Sequence, residues 1–140
     1  MNWIVNDIAE ALFFIVRVMK KKGVKTDQTL RIDLHGIRGL RVFPFSRYRS
    51  IREWAFSEEQ DFIFYQKTFN PKEKWVFLFK LLCETYKDIC VDLGVVEIKD
   101  ETVAQNVKQI VREMDNLRTA YQPSGLDALS LKEIFGESSK

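Results

Sequence analysis

Two periods of apolar residues alternate along this chain. Residues 3–21 follow the helical spacing, with Asn6, Glu10, Arg17 and Lys21 on one polar stripe and most other positions apolar. That pattern predicts a largely buried first helix. Gly23, Thr26 and Asp27 mark residues 20–28 as a polar loop. The period then drops to two: Leu30, Ile32 and Leu34 alternate with Arg31 and Asp33, and Leu40, Arg41, Val42 and Phe43 resume the pattern after Gly36 and Gly39. A two-stranded antiparallel hairpin over about residues 29–45 is expected. Its register follows from charge. A five-residue loop from His35 through Gly39 pairs Leu34 with Leu40 and Ile32 with Val42, and sets Asp33 opposite Arg41. A two-residue loop instead puts Arg41 on the apolar face, and burying an unpaired arginine costs several kcal/mol. The longer loop leaves Arg31, Arg41 and Phe43 outside, and Pro44 marks an edge strand or its end.

Residues 46–70 read as helical again, in two pieces if Ser57-Glu58-Glu59-Gln60 acts as a capping box. Asn70-Pro71-Lys72-Glu73 is a stronger helix start, opening a helix to about Asp92 with Trp75, Leu78, Phe79, Leu82, Tyr86 and Ile89 on its apolar face. Gly94 ends it. Asp100 caps a further helix to about Tyr121, with Val103, Val107, Ile110, Met114 and Leu117 aligned. Gln122-Pro123-Ser124-Gly125 breaks that helix, and the tail at 122–140 holds one short capping box, Ser130-Leu131-Lys132-Glu133, closed by Gly136. The expected fold is a mainly helical α+β single domain over residues 1–121, with four to five helices and one hairpin. An isolated hairpin is marginal in water, so this one must lean on the helices through Leu30, Ile32, Leu34 and Val42.

Composition sets the class. A chain of 140 residues with 46% apolar and 13% aromatic content can bury one substantial core. Cys83 and Cys90 lie two helical turns apart, roughly 10 Å, too far to bridge. With no CxxC pair and one histidine, neither a metal nor a cofactor is expected, and reduced thiols fit a cytoplasmic protein. The apolar run at residues 11–16 is too short to span a bilayer, and its flanking charges run opposite to a signal peptide. No membrane association is expected. The broad apolar face of the first helix suits either core or a homodimer contact.

Charge adds the most informative feature. Residues 31–52 hold Arg31, Arg38, Arg41, Arg47, Arg49 and Arg52 against Asp33 alone, while the other basic and acidic residues number 16 and 19. The basic character of the chain is therefore local. Arginine forks onto phosphate or carboxylate oxygens and stacks on bases, so this cluster favours anion recognition. The loop His35-Gly36-Ile37-Arg38-Gly39 adds glycines that can turn backbone N–H groups toward an anion. Beyond it, Arg47, Tyr48, Arg49, Arg52 and Trp54 interleave cations with aromatics, as in proteins that hold single strands. Core packing of Tyr48 and Trp54, with the arginines paired to acidic helices, is the structural alternative.

Two short resemblances fall on the same segment. Ile32-Asp33-Leu34-His35-Gly36 resembles the D-L-H-G opening of Smr nuclease domains, and residues 35–42 resemble the S-G-x-R-G-x-H hairpin of archaeo-eukaryotic primases. Neither extends beyond about ten residues. The later glycine-rich loop of the Smr domain is missing, and so is the carboxylate pair that would hold two metal ions in a primase. No family is assigned. In the tail, Leu131, Ile134 and Phe135 have the spacing of a sliding-clamp-binding peptide, which implies a replication or repair partner; a turn packed on the chain's own body is the alternative. No signature of hydrolase, P-loop or zinc-protease chemistry is present, so no catalytic residue is assigned.

The expectation is a small non-catalytic nucleic-acid-binding or accessory protein. Its DNA- or RNA-binding residues are Arg31, His35, Arg38, Arg41, Arg47, Tyr48, Arg49 and Arg52. The alternative is a protein-interaction module whose arginine face meets an acidic protein surface.

Overall fold

The apolar spacing of the N-terminal segment buries one side of helix α1 (Asn2–Lys21), where Val5, Ala9, Leu12 and Val16 are fully enclosed. Trp3 and Phe14 stand outside that face, 60% and 62% exposed. The computed structural model describes residues 2–42, 54–95, 98–112 and 130–136. Among these, strands β1 (Gln28–His35), β2 (Arg41–Val42), β3 (Trp54–Ala55) and β4 (Phe62–Phe69) follow α1, then helices α2 (Trp75–Asp92), α3 (Asp100–Arg112) and α4 (Leu131–Phe135). The chain is a mainly helical α+β protein in which helices and a two-stranded antiparallel sheet pack together.

Helix α2 is the centre of the core. Leu78, Leu82, Cys83, Tyr86, Ile89 and Cys90 are enclosed on more than one of its sides, and α1, α3, α4 and β4 all pack against it. The Asn70 signal does not start this helix. Asn70 accepts a hydrogen bond from the Lys72 N–H (2.9 Å) and donates to Asp27 (3.0 Å), so the cap residue holds a turn and the helix begins at Trp75. Helix α3 begins at Asp100 as its cap signal suggests, beside a Lys87–Asp100 ion pair; its expected continuation to Tyr121 lies outside the described residues.

Strand pairing corrects the expected hairpin. β1 pairs antiparallel with β4, from Gln28↔Phe69 to His35↔Phe62, and Asp33 lies opposite Phe64 rather than Arg41. β2 pairs with β3 instead, Arg41↔Ala55 and Val42↔Trp54. Two ladders thus form one interrupted ribbon, whose register slips by a residue between His35↔Phe62 and Arg41↔Ala55. The helix expected within residues 46–70 is replaced by strand over Phe62–Phe69. Ser57 caps a turn, accepting from the Glu59 N–H at 3.1 Å.

The glycine loop is the kink in this ribbon and not its tip. Gly36 and Gly39 have φ of 68° and 62°, and between them Ile37 is driven into the core at 4% exposure. A Cβ at Gly39 would press on Glu58 Cγ at 3.3 Å. The ribbon is held down on its inner side: Tyr65 Oη donates to Asp92 at 2.6 Å, and Lys67 pairs with Asp88 at 2.6 Å, so β4 is fastened to α2. Burial is the first cause, and the Asp92 hydrogen bond the second, that push the Tyr65 hydroxyl pKa well up, so it stays protonated.

Candidate nucleic-acid interface

Strand alternation sorts the ribbon into two faces. Leu30, Ile32 and Leu34 of β1 and Ile63, Tyr65 and Phe69 of β4 turn inward onto the core. Outward stand Thr29, Arg31, Asp33 and His35 beside Phe62, Phe64, Gln66 and Thr68, all exposed. The backbone N–H of Gly36 bonds to the Asp61 carbonyl (2.9 Å), which fixes the hydrogen-bonding phase of the ladder. The outward pairs His35–Phe62 and Asp33–Phe64 are consequently of the non-hydrogen-bonded kind, whose side chains approach most closely.

The outcome is a row of planar groups. His35 stacks on Phe62 with ring centroids 4.6 Å apart and an interplanar angle of 28°. Phe62 and Phe64 follow at 6.0 Å and 24°. The Arg31 guanidinium lies over the Phe64 ring at 4.4 Å and is also held by Asp33 Oδ1, 3.0 Å from Arg31 Nε. Phe62 and Phe64 remain 41% and 48% exposed, which gives up hydrophobic burial that an inward position would have gained. The four planar groups stack in part on one another, and the aromatic surface they leave exposed is of the kind on which flat ligands stack.

Of the residues singled out from sequence, Arg31 and His35 are in this row. Arg38 is exposed at the kink, where its backbone N–H bonds to Asp61 Oδ1 at 3.3 Å. Arg41 is exposed on β2. Asp33, which the expected register set against Arg41, is instead engaged by Arg31 on its own strand. Arg47, Tyr48, Arg49 and Arg52 lie outside the described residues. Phe62 and Phe64 were not singled out at all; the available signal was the aromatic and β-branched run Phe62-Ile63-Phe64-Tyr65, whose composition favours a strand.

Acidic side chains share the described ribbon. Asp33, Glu58, Glu59 and Asp61 accompany Arg31, Arg38 and Arg41, so cation density there is balanced and the distinguishing feature is the aromatic row. The tail residues set apart for a partner are used by the chain itself. Ile134 is fully buried, Leu131 and Phe135 pack on the core, and Lys87 Nζ lies 4.1 Å from the Phe135 ring centroid. Ser130 caps this short helix, its Oγ accepting from the Glu133 N–H at 3.2 Å.

Among the described residues no three His, Cys, Asp or Glu side chains gather where a metal ion could sit, and no helix is long and apolar enough to cross a membrane. Burial pushes the Cys90 thiol up to about 12 and the Cys83 thiol higher, so neither is an available nucleophile at neutral pH. No family model, no curated protein and no solved structure matches the chain, so the two short motif resemblances gain no support from relatives and the site stands on its own geometry.

Proposed function

We propose that the protein binds single-stranded nucleic acid non-catalytically, with bases stacked on the outer face of the β1–β4 ribbon. The observation that supports this reading is the exposed row His35–Phe62–Phe64–Arg31, in which each group lies within 6.0 Å of the next on a sheet fastened to the core. Aromatic side chains on a rigid strand surface accept the face of any base, at about 1–3 kcal/mol per stacked base. Duplex DNA keeps its bases stacked on each other and offers no free face. The row therefore selects single strands over duplex.

Arg31, Arg38 and Arg41 supply phosphate contacts along the ribbon, and Arg47, Arg49 and Arg52 extend the basic set in sequence. In this reading the protein is cytoplasmic, where Cys83 and Cys90 stay reduced. The test is binding of labelled single- and double-stranded DNA and RNA across a salt series. Three phosphate contacts on a single strand give a slope of log K against log salt near −2, and six give about −4. Single-strand preference with a slope in that range is expected. Absence of binding to all four ligands at low salt, or preference for duplex, contradicts the proposal.

A further inference from the structure

Among the described residues β1 hydrogen-bonds to β4 on one edge alone. The phase set by the Gly36–Asp61 bond directs the N–H and C=O groups of the even-numbered residues of β1 toward β4, and those of Thr29, Arg31, Asp33 and His35 toward the open edge. An open edge of this length is a template for another strand. Beneath it runs an apolar groove of about 520 Å³, walled by Trp3, Ala11 and Ile15 of α1 and by Leu30, Ile32 and Leu34 of β1.

We propose that the occupant of this edge is a second copy of the chain, joined antiparallel through β1 about a two-fold axis at Ile32. Only strand registers that face one odd-numbered residue with another bring donors opposite acceptors on the open edge. With the axis at Ile32, Arg31 faces the second copy's Asp33 and Asp33 faces the second copy's Arg31, while Thr29 faces His35. Moving the axis to Arg31 sets two arginines opposite each other, and moving it to Asp33 sets two aspartates opposite each other. Opposed like charges destabilise a pair and opposed unlike charges stabilise it, so charge selects one register.

The same register continues the inner face. Leu30 meets the second copy's Leu34 and Ile32 meets its own counterpart, extending the apolar layer over the groove beside α1. About eight inter-chain hydrogen bonds form, two for each facing pair. The product is a four-stranded sheet of order β4-β1-β1-β4 with one unbroken outer face. This inference does not depend on nucleic-acid binding.

Sedimentation equilibrium of the full chain, free of nucleic acid, tests it at roughly 10–100 μM protein. A dimer is expected. Arg31→Glu and Asp33→Arg each convert both cross-axis pairs to like charges, so each raises the dimer dissociation constant roughly 10-fold or more, with unchanged circular dichroism. In an equimolar mixture the introduced glutamate of one variant faces the introduced arginine of the other, the native Asp33 and Arg31 still face each other across the axis, and dimers return. A wild-type chain that remains monomeric overturns the proposal. So does either single variant that dimerises like wild type, or a mixture that stays monomeric, since an effect confined to one chain cannot be rescued by mixing.

Discussion

Replacing Phe64 with Ala isolates stacking from charge. The ring is 48% exposed, lies 6.0 Å from Phe62 and carries the Arg31 guanidinium at 4.4 Å. Complete burial of a phenylalanine is worth about 1.5–3 kcal/mol, so a half-exposed ring contributes about 1 kcal/mol to folding and its removal leaves the protein folded. Loss of the cation–π contact adds about 0.5–1 kcal/mol at an exposed site. Binding should suffer more, because a base stacked on the ring is worth about 1–3 kcal/mol, a roughly 5- to 150-fold weakening. Fluorescence anisotropy with a labelled single-stranded oligonucleotide reads that change. The salt slope should stay as in wild type, since the ring carries no charge, whereas Arg31→Ala should reduce its magnitude by about 0.7. Phe14→Ala, more exposed than Phe64 but on α1, is the control and should bind as wild type. Wild-type affinity of Phe64→Ala, or a fall in slope matching that of Arg31→Ala, refutes the stacking argument.

Three further outcomes follow from the packing. Ile134→Ala should lower unfolding free energy by about 2–5 kcal/mol, read by urea denaturation, because the side chain is fully buried where α4 meets α2 and α3; an effect below about 0.5 kcal/mol would mean that α4 is not part of the core. Tyr86→Phe should raise stability by about 1 kcal/mol, since its hydroxyl is buried without a hydrogen-bond partner among the described residues; a loss of stability would reveal a partner. Stability should also fall at alkaline pH. Cys83, Cys90, Tyr65 and Tyr86 all hold their protons more tightly when folded, through burial above all. The unfolded chain releases thiol protons from about pH 9, so this stability is complete below that value and is lost as pH rises toward the folded value of about 12 for Cys90. The two thiols alone remove about 3 kcal/mol by pH 10. A urea midpoint unchanged between pH 8 and 10 contradicts this.

The helix limits that were legible have local signals. The run to Lys21, the stop at Gly94, the start at Asp100 and the Ser130 cap each depend on residues within a turn of one another. The inward set Leu30, Ile32 and Leu34 was legible too, since polar residues separate them. The partner strand was not. In Phe62-Ile63-Phe64-Tyr65 both faces carry apolar side chains, which erases the two-residue period, and nothing near β1 in sequence announces a partner that begins 27 positions beyond its end. Arg41 fitted the nearer pairing on charge, but Ile37 decided the geometry by entering the core, which a hairpin tip does not allow. Half of the candidate site was hidden for the same reason. An exposed Phe and a core Phe look identical until the strand that carries them is given a face.

The most direct test of the central claim is a titration of the isotope-labelled protein with a short single-stranded oligonucleotide, followed by nuclear magnetic resonance of the aromatic side chains. Ring-current shifts concentrated on Phe62, Phe64 and His35, with the Arg31 side chain moving alongside them, are the predicted result. Shifts confined to α3 and α4, or no shifts while the strand is bound, would contradict it.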